Sequence, residues 1–235
     1  MSVTAAAGFR AGSVAAGLAA RGGVDLTVVI NDGVVTPAAC VFTSNRAKAH
    51  PIVWSQQVMV GGSAKAIVLN AGGANCFTGP EGFALTHRSA ETLAAALGDT
   101  GASEILVCST GLIGELLPAG AVLEGITQAV GRAEATPEAG ASSSLAILTT
   151  DSHAKTAVTT LDTPEGTITL GGMAKGAGML APGLATMLVV ITTDAVMECE
   201  GLNSALRAAT RVSFDRLDSD GCMSTNDQVT LMASG

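Results

Sequence analysis

Residues 171–188 read Gly-Gly-Met-Ala-Lys-Gly-Ala-Gly-Met-Leu-Ala-Pro-Gly-Leu-Ala-Thr-Met-Leu and hold the side chains best suited to chemistry. One cation, Lys175, lies among five glycines and a proline, and Thr186 opens the β-branched run that follows. Glycine admits conformations that other residues avoid and lets backbone approach a ligand closely. By residue type alone the stretch reads equally well as a glycine-rich turn ahead of a buried strand, with Lys175 a solvated loop residue. The Gly-Lys-Ser/Thr order of a phosphate loop is missing. Ser109-Thr110-Gly111, after an apolar run, is on the same terms an ordinary strand-end turn. His50, His87 and His153 are scattered without metal-ligand spacing, and no Gly-x-Ser-x-Gly elbow is present. Cys40, Cys76, Cys108, Cys199 and Cys222 lie far apart with no Cys-x-x-Cys pair, so neither a zinc site nor a disulfide framework is expected.

Several motifs in one order carry more than any of them does alone. Residues 173–188 match the pattern M-A-K-G-[AS]-G-M-[IL]-A-P-x-x-A-T-M-L throughout. Val41-Phe-Thr-Ser-Asn45, Leu69-Asn-Ala-Gly-Gly-Ala-Asn-Cys-Phe-Thr-Gly79 and Cys108-Ser-Thr-Gly-Leu-Ile-Gly114 precede it, as does Thr149-Thr-Asp151. Phe214-Asp-Arg-Leu-Asp-Ser-Asp220 and Ser224-Thr-Asn-Asp227 follow. In these segments the chain resembles the bifunctional ornithine acetyltransferase/N-acetylglutamate synthase family of arginine biosynthesis, whose members cleave themselves between the last Ala and Thr of the pattern.

The resemblance implies a definite chemistry. The Thr186 hydroxyl would attack the carbonyl of Ala185, and an N-to-O acyl shift followed by hydrolysis would free a new amino terminus. An α-amine has a pKa of about 7.7–8.0, so it accepts a proton near neutral pH. Nucleophile and base then share one residue. Thr110 and Gly111 match the family's oxyanion-stabilising pair, and Thr149, Lys175 and Thr186 match its substrate contacts, with Thr150 a weaker candidate. Asp151 reads as the end of its segment. The implied reaction is ping-pong transfer of acetyl from N2-acetylornithine to glutamate through acetyl-Thr186, with acetyl-CoA a possible second substrate and no metal or redox cofactor. The implied fold is a layered α/β sandwich of the type shared with self-processing aminopeptidases, and the implied assembly an α2β2 heterotetramer. Residues 1–185 would form the α-chain segment and 186–235 the truncated start of the β-chain. A related aminopeptidase, or an inactive truncated fragment, stands as the alternative.

The elements that must position these residues follow from composition and pattern. Hydrophobic residues make up 48% of the 235 and charged residues 14%, which suits a chain that buries a substantial core. The net charge of −8 without a basic run argues against nucleic acid or an anionic membrane as partner. Residues 1–20 lack a basic leader with a continuous apolar stretch, and no window matches a membrane-spanning helix; with the dispersed cysteines this predicts a cytoplasmic protein. Short apolar runs alternating with helical spacing predict mixed α/β. Strands are expected over 25–31, 39–43, 66–69, 104–108, 156–161, 167–170, 186–193 and 228–232. Helices are expected over 80–97, 118–133 and 200–212, the first opened by a capping box of Thr78 and Glu81, and a loop over 133–144. Asn70 and Asn75 read as turn formers, and Cys108 as packing. Val229-Thr-Leu-Met232 looks like a central strand close to the end, which predicts a longer parent protein.

Overall fold

The structure, a computed structural model, describes residues 2–179, 181 and 187–235. The apolar runs form β1 (Phe9–Val14), β2 (Leu26–Asn31), β3 (Ala38–Phe42), β4 (Ala66–Asn70), β5 (Ile105–Ser109), β6 (Lys155–Thr163), β7 (Gly166–Lys175), β8 (Leu188–Thr193) and β9 (Gln228–Ala233). The helices are α1 (His50–Val58), α2 (Gly79–Leu97), α3 (Ala119–Gly131), α4 (Pro137–Ala146) and α5 (Cys199–Val212). One sheet has the order β1-β2-β4-β5 and the other β3-β9-β8-β7-β6. Pairing is antiparallel except for β4 with β5 and β8 with β9. Parallel neighbours need a crossover rather than a hairpin. Here α2 lies between β4 and β5 in the chain, and α5 between β8 and β9.

The sheets stack face to face as the middle of four layers. Phe9, Val29, Ile67, Leu69 and Leu106 of the first sheet meet Met173, Leu188, Val190 and Met232 of the second. The opposite face of the first sheet, with Val28, Ile30, Val68 and Val107, is covered by Leu85 and Leu93 of α2 and Val122 and Ile126 of α3. The opposite face of the second, with Val189, Val229 and Leu231, is covered by Leu202 and Leu206 of α5. Strands packed on both faces read as unbroken apolar runs rather than alternating ones, and β2, β4, β5 and β9 are buried at every residue. The layered α/β sandwich expected above is the fold observed.

The edges of the first sheet are closed by short helices. Ser55 Oγ of α1 donates to the Val107 carbonyl at 2.9 Å and accepts the Val107 amide at 3.0 Å, and the Trp54 indole donates to the Ile105 carbonyl at 2.9 Å. An open sheet edge would otherwise offer those groups to another chain. At the other edge α4 lies along β1, with Ser143 Oγ accepting from Thr27 Oγ1 at 2.8 Å.

Four expectations need correction. The 133–144 loop is largely α4: Thr136 Oγ1 caps it by accepting the Ala139 amide at 3.2 Å, and Pro137 occupies its first turn. Its small residues form no apolar stripe, so periodicity could not reveal it. Strand β1 and helix α1 were not expected; both are short and take their stability from neighbours rather than intrinsic preference. The capping box at α2 does not form: Thr78 accepts no cap hydrogen bond, and its Oγ1 is turned to Asn75 Oδ1, to which it donates at 2.7 Å. The strand expected to open at Thr186 begins at Leu188, and Thr186 itself lies outside the described residues. Strand β9 is an interior strand, with β3 and β8 on either side. Among the described residues no helix is long and apolar enough to cross a membrane.

Candidate active site

Because β4 and β5 are parallel, their carboxyl ends emerge at one edge of the sheet, the usual place for a ligand site in such sheets. Asn70 ends β4, and its Oδ1 accepts from Ser109 Oγ at 2.7 Å while its carbonyl accepts the Thr110 amide at 3.0 Å. The two loops then run against each other, the Leu112 amide reaching the Gly72 carbonyl and the Ala74 amide the Leu112 carbonyl. Gly111 sits at φ +130°, and a Cβ there would meet the Gly72 carbonyl carbon at 2.4 Å. A third loop closes the wall. Buried Asp25 accepts the amides of Ala16, Leu18 and Ala19 at 2.6–2.9 Å, and Gly72 lets Leu18 come close: a Cβ on it would lie 2.2 Å from the Leu18 carbonyl oxygen.

Lys175 is not the solvated loop residue that its type alone suggests. It closes β7, is 3% exposed, and donates from Nζ to Thr110 Oγ1 at 3.0 Å. Burial holds its ammonium below the ordinary lysine range, partly offset by the charges of Asp151 and Asp227. Since Thr110 Oγ1 accepts from Lys175, its own proton remains available to donate. Among the described residues the Gly111 amide has no acceptor. Two donors, one backed by a buried cation, thus stand side by side at a strand end.

Asp151 does more than end its segment. Its buried carboxylate accepts from Lys155 Nζ at 2.6 Å and from the Gly176 amide at 2.7 Å, tying the end of β7 to the loop that carries Thr149. Burial pushes this carboxyl up, but the Lys155 and Gly176 hydrogen bonds and the charges of Lys175 and Lys155 outweigh it, and it lies below its ordinary value. A cavity of about 750 Å³ opens on Thr110, Gly111, Thr149, Thr150 and Lys175, with residues 18–21 also in its wall. Arg21 on that wall spends its guanidinium on the carbonyls of Val24, Leu145 and Leu148.

The structure therefore brings Thr110, Gly111, Thr149 and Lys175 to one cavity, whereas Ala185 and Thr186 lie outside the described residues. His87 and His153 are exposed, and none of the three histidines lines it. Cys108 is buried, as expected, and its thiol is raised by burial and by nearby Cys40. No group of three His, Cys, Asp or Glu among the described residues could hold a metal ion. Asp227 escaped the reading of single residues, although it stands in a motif already noted, and Asp151 was read only as the end of its segment. Asp227, fully buried ahead of β9, accepts the Met187 amide at 3.0 Å.

Comparison with known proteins shows the family and the fold. The ArgJ family model matches residues 10–235. The arginine biosynthesis bifunctional protein ArgJ of Streptomyces coelicolor is 58% identical over 235 residues, covering all of this chain and 60% of its own length. That of Mycobacterium tuberculosis is 52% identical, covering 99% of this chain and 58% of its own length. The chain thus spans about three-fifths of the curated relatives it matches. Among solved structures, M. tuberculosis ornithine acetyltransferase complexed with ornithine superposes with a TM-score of 0.73 at 48% identity, over 80% of this chain and 96% of that one. An aminopeptidase from Ochrobactrum anthropi, described as a variant of the Ntn hydrolase fold, matches with a TM-score of 0.61 at 12% identity, covering 99% of this chain and 73% of that one, a likeness of fold alone. With the family model spanning residues 10–235 and a relative 58% identical over all of this chain, the chain belongs to the ArgJ family.

Proposed function

We propose that the protein is an acyltransferase of arginine biosynthesis that cuts itself between Ala185 and Thr186 and then carries acetyl from N2-acetylornithine to glutamate on the Thr186 hydroxyl. The freed Thr186 amine takes the hydroxyl proton as Oγ attacks the acetyl carbonyl carbon. Negative charge gathers on the carbonyl oxygen, where the Thr110 hydroxyl and the Gly111 amide donate. Donors already in place cost no reorganisation when the charge appears, and removing one costs about 10²–10³ in rate. Lys175, donating to Thr110, strengthens that hydroxyl as a donor. The carbon–nitrogen bond breaks, ornithine leaves with the proton, and glutamate's amine attacks acetyl-Thr186 by the reverse path. Thr149 contacts the substrate at the cavity rim. No metal or redox cofactor takes part; acetyl-CoA serves the same hydroxyl as a second acetyl donor.

The observation that carries this reading is the buried contact of Lys175 with Thr110 beside the unspent Gly111 amide, opening on a cavity. The relatives' names, arginine biosynthesis bifunctional protein and ornithine acetyltransferase, support the reaction class. Coverage supports processing. The solved M. tuberculosis chain is matched over 96% of its length by 80% of this chain, yet nearly all of this chain covers only 58% of the curated M. tuberculosis protein. That solved chain is about half the protein, as a cleaved first piece would be. On this reading, residues 1–185 end the first piece, residue 186 opens the second, and the pieces assemble as an α2β2 unit in the cytoplasm.

Mass spectrometry of the purified protein tests it. A break is expected between Ala185 and Thr186, absent in Thr186→Ala and slowed but present in Thr186→Ser. An uncut protein that still transfers acetyl from N2-acetylornithine would overturn the proposal.

A further inference from the structure

The wall that carries Thr110 and Gly111 is fastened by a side chain to which the reaction above gives no part. Asn226 lies just ahead of β9 and is 5% exposed. Its Nδ2 donates to two carbonyls, that of Ala74 at 2.7 Å and that of Ser109 at 2.9 Å. The Ser109 carbonyl belongs to the peptide unit whose nitrogen is the Thr110 amide, and that amide donates to the Asn70 carbonyl at 3.0 Å. One rigid plane is therefore gripped at both edges, by the end of β4 on one side and by Asn226 on the other. Ala74 lies in the facing loop, and its amide donates to the Leu112 carbonyl at 2.7 Å. A single side-chain amide so joins the two loops that run against each other at Gly111. Its own mounting is firm. Asn226 Oδ1 accepts from Thr225 Oγ1 at 2.6 Å, and its backbone amide donates to Ser224 Oγ at 3.1 Å. The neighbouring carbonyls of Thr225 and Asp227 accept the Ala49 and Thr43 amides at 3.0 and 2.9 Å.

We propose that Asn226 is a positioning residue for acetyl transfer, its amide holding the Ser109–Thr110 peptide plane and with it the aim of the Thr110 hydroxyl and the Gly111 amide. The inference rests on the reading of those two groups as donors to the oxyanion. With that plane fixed, only the two backbone torsions of Thr110 separate it from the next plane, which carries the Gly111 amide. Lys175 settles the side chain, since Thr110 Oγ1 accepts from its Nζ at 3.0 Å. Asn226 does not line the cavity, so it acts on the donors through the backbone and not on the substrate. Two carbonyls converging on one point need an NH2 group, which asparagine supplies and an aspartate of the same shape does not. Aspartate would leave at least one buried carbonyl without its donor and let the plane turn. A displacement of about 1 Å costs roughly 10²-fold in rate. The loss falls on the step in which charge gathers on the carbonyl oxygen.

The test measures acetyl transfer from N2-acetylornithine by the full-length protein, counted per cleaved chain. Asn226→Asp should lower kcat and kcat/KM equally, by about 10²-fold, because the oxyanion forms only after the substrate has bound. Thr110→Ala alone should lose about 10²–10³-fold. Since Asn226 works through Thr110, adding Asn226→Asp to Thr110→Ala should cost clearly less than the same change in the parent, as losses within one network do not add. A residue that merely stabilises the fold would give the same loss in both backgrounds, and that result would overturn the inference. So would a parent kcat in Asn226→Asp, or a loss confined to KM, with Thr110→Ala still slow; the donor reading would then stand without Asn226. Thr110→Ala at the parent rate would sink the inference and the donor reading together. Should Asn226→Asp fail to fold, Asn226→Ala, which brings no charge into the interior, should show the same equal fall in kcat and kcat/KM. If neither folds, Asn226 holds the fold rather than the donors, and the proposal ends.

Discussion

Replacing Gly111 with alanine separates a positioning glycine from an incidental one. At φ +130° an alanine is strained, at about 1–3 kcal/mol for such a backbone. Its Cβ would also lie 2.4 Å from the Gly72 carbonyl carbon and 2.6 Å from both the Gly72 oxygen and the Gly73 nitrogen, all backbone atoms that cannot rotate aside. Forcing extra bulk into a packed site adds about 1–3 kcal/mol. Gly114 provides the comparison, since it has φ +88° but open space where a Cβ would go. Gly114→Ala should therefore cost only the backbone part, and Gly111→Ala about 2–6 kcal/mol in all. In a chain of this size 1 kcal/mol moves Tm by about 2–4 °C, so Gly111→Ala should melt roughly 5–20 °C lower. The loops can relieve the clash only by moving apart, which displaces the Thr110 and Gly111 donors. A displacement of about 1 Å costs roughly 10²-fold in rate. Calorimetry and acetyl transfer from N2-acetylornithine, measured on both variants, check the two parts. If Gly111→Ala melts no lower than Gly114→Ala and transfers at the parent rate, the loop contact does not hold the donors.

Lys175→Ala should lower acetyl transfer by about 10²-fold or more through the loss of support for Thr110, while self-cleavage suffers less; equal losses in both assays would contradict its placement. Ser55→Ala leaves the Val107 amide and carbonyl without partners at the β5 edge. It should cost about 1–3 kcal/mol in denaturant unfolding and speed hydrogen exchange at Val107; an unchanged midpoint would refute it. The Asp151 carboxyl lies below its unfolded value, so its stabilising share is present above about pH 3.9 and lost as pH falls through the lower folded value. Asp227 acts with the opposite sign, its share full below about 3.9 and lost as pH rises through about 7. Melting of Asp151→Asn against the parent at each pH isolates the first effect: the two curves should converge as pH falls below the ordinary carboxylate range, and parallel curves would exclude it.

Thr110, Gly111, Thr149 and Lys175, which meet at one cavity, could be picked out in the sequence because they sit in short, contiguous motifs. So could the strands buried on both faces, since a run such as Leu26–Asn31 needs no partner to look apolar. Local pattern could not disclose β1, α1 or α4, whose small or mixed residues become a strand or helix only through a neighbour: β1 by pairing with β2, α1 through Ser55 on Val107, α4 against β1. Nor could it tell a solvated Lys175 from one 3% exposed, because burial is a property of what packs around a residue. The contact of Lys175 with Thr110 spans 65 positions and that of Asp227 with Met187 spans 40. Both exist because strand register in two stacked sheets brings the ends of β5 and β7 and the starts of β8 and β9 to one place. Residue type determined which groups could react; only the tertiary arrangement decided which of them share a cavity, lose their water and shift their proton affinities.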